Sequence, residues 1–338
     1  QLWGGEFNGK LREILEMRKG IATEISDKLR LRLTPEEATR LTRTYTDSDQ
    51  AHAAYLKGKF EQAKATARSY RKAIQHFEDA IQEDPNYARA YASMAFSYRI
   101  LAQALGAMST REALPKAEEL AKKALEIDNS IGEAHAVLAD VRRIYYWDWE
   151  GAEEEYKLAI ELDPSSYQAP YGYAFLMTNR KRHDEAISLI LRAQQLDPLN
   201  PATRTGAAVQ FRMARRYDEA IEQCLLALEI DPNYRLAYEF LARVYENMGK
   251  YDEAAAARQK DWILGGASEE EIAGLSEAAA LGTKAYWRWL LNNREKRANQ
   301  GEYFRPINFA IGHAQLDEKD QAFEWVAKAY EERDGGLI

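Results

Sequence analysis

The side chains able to do chemistry in this 338-residue chain are scattered. His52, His76, His135, His183 and His313 lie far apart, and none has the paired spacing that sets two imidazoles on one helix face for zinc. Each reads as a helix-surface or core histidine. Gly265-Gly266 lacks the lysine and the preceding strand with which a glycine-rich loop holds phosphate. The carboxylate runs Glu153-Glu154-Glu155 and Glu269-Glu270-Glu271 read more simply as solvated helix starts than as acid–base pairs. No Ser–His–Asp set can be assembled. The single cysteine, Cys224, leaves no intrachain disulfide and no cysteine-based zinc site, and is expected to be a small core packer rather than a reactive thiol. The expectation is a non-enzyme with no cofactor and no metal. What remains is the chemistry of recognition by guanidinium groups, aromatic rings and amides.

Composition narrows the partners. Forty-six basic against 54 acidic residues give a net charge of −8, which argues against nucleic acid as the main ligand. A hydrophobic fraction of 46% with 30% charged residues suits a soluble helical protein. No apolar run approaches the ~18 residues of a membrane span. No signal peptide opens the sequence, which starts with Gln1 rather than methionine and is read as a piece of something longer. The expected location is the cytoplasm, or the periplasm if a membrane span precedes this piece.

The elements that must position any binding groups are announced between Ala152 and Pro232. One spacing occurs there three times: Ala152, Tyr156, Ala159, Pro164; then Ala186, Ile190, Ala193, Pro198; then Ala220, Cys224, Ala227, Pro232. The period is 34 residues, and the same phase falls on Ala254 and Ala322. Alanines three and four residues apart share a helix face and let a neighbouring helix approach closely. The proline then ends the helix, because it lacks the backbone N–H and biases its predecessor away from helical geometry. The spacing resembles that of the tetratricopeptide repeat (TPR) family over most of the chain. The resemblance implies an all-α, right-handed superhelix of about eight helix–turn–helix repeats, since one helix pair cannot bury its apolar face alone.

On this ruler residues 1–49 form an N-terminal junction and residues 50–338 the array, with repeats near 51–86, 87–130, 131–165, 166–200, 201–234, 235–268, 269–302 and 303–338. In the junction, an amphipathic helix is expected from about Lys10 to Leu31. A second, to about Arg43, starts at Thr34-Pro35-Glu36-Glu37. Leu2-Trp3-Gly4-Gly5-Glu6-Phe7, with the run Leu11 to Glu16, resembles the passage from a TolB-like domain into a TPR array in bacterial signalling proteins. There the effector is a winged-helix domain, a Ser/Thr kinase or a nucleotide cyclase. Thr46-Asp47-Ser48-Asp49 is expected to cap the first repeat helix. Gly58 to Ala73 is three residues longer than the family interval, which predicts an expanded turn near Ala67. About ten extra residues around Gly106 to Thr110 predict an insertion in the second repeat, a place for binding or a tolerated surface loop. Asp184, Asp218 and Asp252 are expected to cap second helices, each followed by a glutamate that suits the helix dipole. Around Tyr286-Trp287-Arg288-Trp289 the consensus fails, with Arg288 and Asn292 where small or apolar residues belong, so this repeat must pack differently. No polar capping helix follows the eighth repeat, and its last helix face is expected to continue beyond the sequence.

The TPR resemblance also implies a concave groove lined by first-helix residues. Carried onto this chain, the candidate peptide-binding residues are Arg89, Phe96 and Arg99 in repeat two, Asp140 and Arg143 in repeat three, and Tyr171, Phe175 and Asn179 in repeat four. Arg212 and Met213 follow in repeat five and Arg243 in repeat six. Guanidinium groups suit carboxylates, rings suit apolar anchors and amides suit peptide backbone. Chaperone-binding members clamp a C-terminal carboxylate with a K-x3-N pattern; Tyr55 and Lys59 in repeat one do not match it. Tyr145-Tyr146-Trp147-Asp148-Trp149 either fills the turn of repeat three or forms an exposed apolar contact. The expected partner is a protein or peptide. The alternative is a self-association scaffold, a homodimer through Trp3, Phe7 or the last helix face.

Overall fold

The computed structural model describes residues 45–337; the two expected junction helices and the TolB-like motif lie outside them. Among the described residues there are sixteen α-helices and no strand. Repeat one pairs α1 (Asp49–Ala63) with α2 (Ala67–Glu83), and repeat two pairs α3 (Ala88–Gln103) with α4 (Thr110–Ile127). Repeat three is α5 (Gly132–Val141), a π-helical turn (Arg142–Tyr146) and α6 (Trp149–Leu162). Then come α7 (Gln168–Asn179) and α8 (His183–Leu196), α9 (Pro201–Met213) and α10 (Tyr217–Ile230), and α11 (Arg235–Asn247) with α12 (Tyr251–Gly265). The last two repeats are α13 (Glu269–Ala280) with α14 (Thr283–Asn299), and α15 (Pro306–Gln315) with α16 (Lys319–Glu331).

The alanine spacing works as the sequence implies. Ala152, Ala186, Ala220 and Ala254 are all fully buried, as are Tyr156, Ile190 and Cys224 one turn on. Second helices α6, α8 and α10 end two residues before Pro164, Pro198 and Pro232, at Asp163, Asp197 and Asp231 in non-helical backbone. Where helices cross most closely the first-helix residue is glycine: a methyl at Gly58 would lie 2.4 Å from the Phe77 ring, and one at Gly172 would lie 2.6 Å from Tyr156. Ser48, within the expected cap, accepts from the Ala51 amide at 3.1 Å.

Several expectations are corrected. The turn of repeat one is not expanded; residues 64–66 match the three-residue turns of later repeats, and the extra length lies in α2. Much of the second-repeat insertion is likewise helix, since α3 and α4 run to 16 and 18 residues. Its connector at Gly106 reaches the last repeat, where a methyl at Gly106 would meet Arg305 at 3.3 Å. The aspartates are not N-caps. Helices α8, α10 and α12 start earlier, at caps Arg182, Arg216 and Lys250 that make no side-chain cap bond. Asp184, Asp218 and Asp252 sit in the first turn and act through the dipole alone. The reason is the left-handed residue at Lys181 and Arg215, which starts the helix before the aspartate arrives. In repeat seven, α14 turns Arg288 and Asn292 outward and buries Tyr286, Trp287, Leu290 and Leu291 instead.

The superhelix is wound tightly enough for distant repeats to meet. Ala65, in the first turn, packs against the core of Ala227, Tyr234 and Ala237 in repeats five and six. Trp147, held in left-handed backbone at φ 58°, packs at a tilt against Tyr330 of α16 with ring centroids 5.1 Å apart. Arg333 covers the same indole at 4.1 Å. The aromatic turn therefore makes an intrachain closure contact, which neither sequence reading anticipated. Tyr146 stays exposed, its hydroxyl donating to Glu118 at 2.7 Å. Phe323 of α16 is 72% exposed.

Candidate functional site

The first-helix residues marked by the sequence divide into two groups. In repeats two to four they are largely engaged with one another. Asp140 is the hub. It accepts from Arg143 at 3.0 Å and from the Tyr156 hydroxyl at 2.6 Å, and pairs with Arg99 at 3.4 Å. Arg143 goes on to donate to Asn179 at 3.2 Å and lies over the Phe175 ring. Arg99 lies over Phe96 at 4.6 Å, and the Tyr171 ring packs at a tilt against Phe175 at 5.2 Å. Arg99, Asp140, Arg143 and Phe96 are each less than a tenth exposed. This chain of charges ties repeats two, three and four together. Burial works against the charge on Arg143, but the neighbouring Tyr156 phenol and Asp140 carboxylate outweigh it and raise its affinity for the proton. Arg89, at the near end, lies over Tyr45 at 3.8 Å. Lys59, from the unmatched clamp position, faces Glu133 at 3.8 Å.

In repeats five to eight the concave face stays open. A cavity of about 100 Å3 is lined by Arg212, Arg243, Asn247, Arg258, Trp287 and Arg294 among others. Arg243 is held by Glu239 at 2.7 Å, and Arg258 by Glu246 at 2.6 Å with the Tyr286 hydroxyl at 3.0 Å. Arg212 and Arg294 have neutral acceptors: Oδ1 of Asn247 at 3.0 Å and the Asn308 carbonyl at 3.0 Å. Burial first, and the nearby Arg243, hold Arg212 down to about 10; burial, with Arg258 nearby, does the same to Arg294. Met213, at the end of α9, is 43% exposed.

Of the residues lining this cavity, the sequence pattern marks Arg212 and Arg243 but not Arg258, Trp287 or Arg294. These three lie on the second helices α12 and α14, while the family ruler marks first helices only. The available signal was the lost consensus around Trp287, which turns the inner face of α14 toward the cavity. Cys224 is a buried packer whose thiol is pushed up to about 12 by burial. Among the described residues no three His, Cys, Asp or Glu side chains gather into a metal-binding group. No helix among them is long and apolar enough to cross a membrane.

Comparison with known proteins agrees with this architecture. The sequence profile of the tetratricopeptide repeat matches residues 237–259. The structure is similar to a human IFIT1 dimer with PPP-AAAA at 16% identity and a TM-score of 0.54, covering 95% of this chain and 78% of that one. It is also similar to TTC0263, a thermophilic TPR protein of Thermus thermophilus, at 20% identity and a TM-score of 0.47, covering 59% and 98%. At these identities the likeness is one of fold. Among curated proteins, 136 residues are 28% identical to the transcriptional regulator HilA of Salmonella typhimurium, covering 40% of this chain. The match spans about a quarter of that relative's length, 24%. The buried 34-residue alanine register, the paired helices and the matched repeat at residues 237–259 give this chain the fold of tetratricopeptide-repeat proteins.

Proposed function

We propose that this chain is a non-enzymatic protein-binding scaffold that takes an extended segment of a partner on its concave face. It serves as the interaction portion of a larger bacterial regulatory protein. The observation that carries the reading is the open cavity of repeats five to eight, set beside the exposed Met213 and the half-buried Phe175 and Asn179. A TPR solenoid has rigid helices and a continuous inner face, which suits recognition of a chain laid along it. The partial likeness to a transcriptional regulator supports the regulatory setting.

A peptide array probed with the purified chain tests the groove. The variant combining Phe175→Ala, Asn179→Ala and Met213→Ala should keep its helical circular dichroism and lose at least about tenfold in peptide affinity, since a few anchors dominate such interfaces. Unchanged binding would remove the groove reading. A second reading, self-association, is favoured by the apolar face of α16, where Phe323 and Val326 are exposed. Light scattering that shows a dimer, lost in Phe323→Glu, would support it in place of the groove.

A further inference from the structure

The cavity between repeats five and eight is electrostatically unfinished. Four guanidinium groups meet there, and two carboxylates, Glu239 and Glu246, answer them. Two positive charges are left over, on Arg212 and Arg294, each with only a neutral acceptor. Two lining donors have no hydrogen-bond partner: Nε of Arg212 and the indole N–H of Trp287, a ring only 3% exposed. Unmatched, half-buried cations and orphaned donors cost stability unless something fills the space between them. The charges lining the cavity are four guanidinium groups and the already engaged Glu246; the amides of Asn247, Asn308 and Gln315 and the side chain of Ile311 complete the wall.

We infer that this cavity is a binding site for a phosphoryl dianion, held by Arg212 and Arg294 with the Trp287 indole N–H as a further donor. The charge left over is two, matching a phosphate ester rather than a single carboxylate. Arginine forks match the tetrahedral oxyanion geometrically as well as in charge. A space of about 100 Å3 admits one such group and not a nucleoside. The phosphoryl group can come from free phosphate or from a phosphorylated side chain on the bound partner segment. Only the second source rests on the scaffold reading above.

Thermal unfolding in matched ionic strength tests the site, with sodium phosphate against sodium chloride. Phosphate should raise Tm saturably in the wild-type chain and in the distant control Arg182→Gln, but not in Arg294→Gln or Arg212→Gln. Without phosphate, Arg294→Gln should be at least as stable as wild type, because it removes an unpaired charge. No saturable rise in wild type, or an equal rise in both pocket variants, overturns the site. Should one pocket variant not fold, the other carries the comparison. A phosphoserine peptide selected from the array is then compared with its unphosphorylated form and with phosphate alone. Tighter binding by tenfold or more over both identifies a phosphorylated partner; equal affinity with phosphate identifies the free ion. Peptide binding with no saturable phosphate effect on Tm sinks the site and leaves the scaffold, whereas a saturable phosphate effect without any peptide binding does the reverse.

Discussion

The rings of Trp147 and Tyr330 meet at 5.1 Å, tilted by 53°, although they belong to the third and the last repeat. A solenoid repeat ordinarily touches only its neighbours, and its stability is a sum of nearest-neighbour terms. Here Arg333 covers the outer face of the same indole at 4.1 Å, so ring and cation together close the array on itself. The contact ties the third repeat to the last across the superhelix.

Trp147→Ala should open that closure. An aromatic pair is worth about 1 kcal/mol beyond its buried area, so the urea midpoint should fall modestly. The radius of gyration measured by small-angle X-ray scattering should rise. An unchanged radius would mean that the neighbouring repeats alone set the curvature.

Asp140→Ala should be far more damaging. It strands Arg99 and Arg143, both under a tenth exposed, and takes the acceptor from the Tyr156 hydroxyl. Breaking a buried ionic cluster on one side costs roughly 3–5 kcal/mol. Chemical denaturation should show that loss, and Arg99→Met with Asp140→Leu together should cost less than the two single changes added.

Gly172→Val places side-chain atoms where the Tyr156 ring now lies, 2.6 Å from the first added carbon. Overpacking of this kind costs about 1–3 kcal/mol. Leu241→Ala in the core of repeat six removes contacts instead, at roughly 2–5 kcal/mol. Both should shift the denaturation midpoint while leaving the helical signal of the folded state intact.

His135 predicts a pH dependence. Burial pushes its pKa down, but the Glu155 carboxylate at 2.7 Å and the Asn129 carbonyl push it up by more, so it titrates above its ordinary 6.5. Both ring nitrogens face acceptors, the carbonyl at 3.2 Å, which suits the imidazolium. A folded pKa above the unfolded one gives stability that is complete below the unfolded value and fades as pH rises through the folded value. Denaturation midpoints measured from about pH 5.5 to 8.5 should therefore decline more for the wild type than for His135→Gln. Equal slopes would show that the pair does not hold the proton.

The sequence by itself determined the repeat. A 34-residue alanine spacing with prolines after the second helices of repeats three to five is a local code, because helix-face periodicity and chain termination depend on neighbours a few residues away. That is why Ala152, Ala186, Ala220 and Ala254 are all buried where the spacing put them. The N-caps were misplaced by two residues because a left-handed turn residue, invisible as a lysine or arginine, decides where a helix starts. Only the tertiary structure decided which polar residues are spent on each other. Arg99, Arg143 and Arg212 carry the same side chain at equivalent first-helix sites, yet the first two meet Asp140 and the third meets none. That difference depends on what second helices and distant repeats bring across the concave face, which no spacing along one helix records. The same holds for Trp147 and Tyr330, whose meeting is set by curvature summed over the repeats between them.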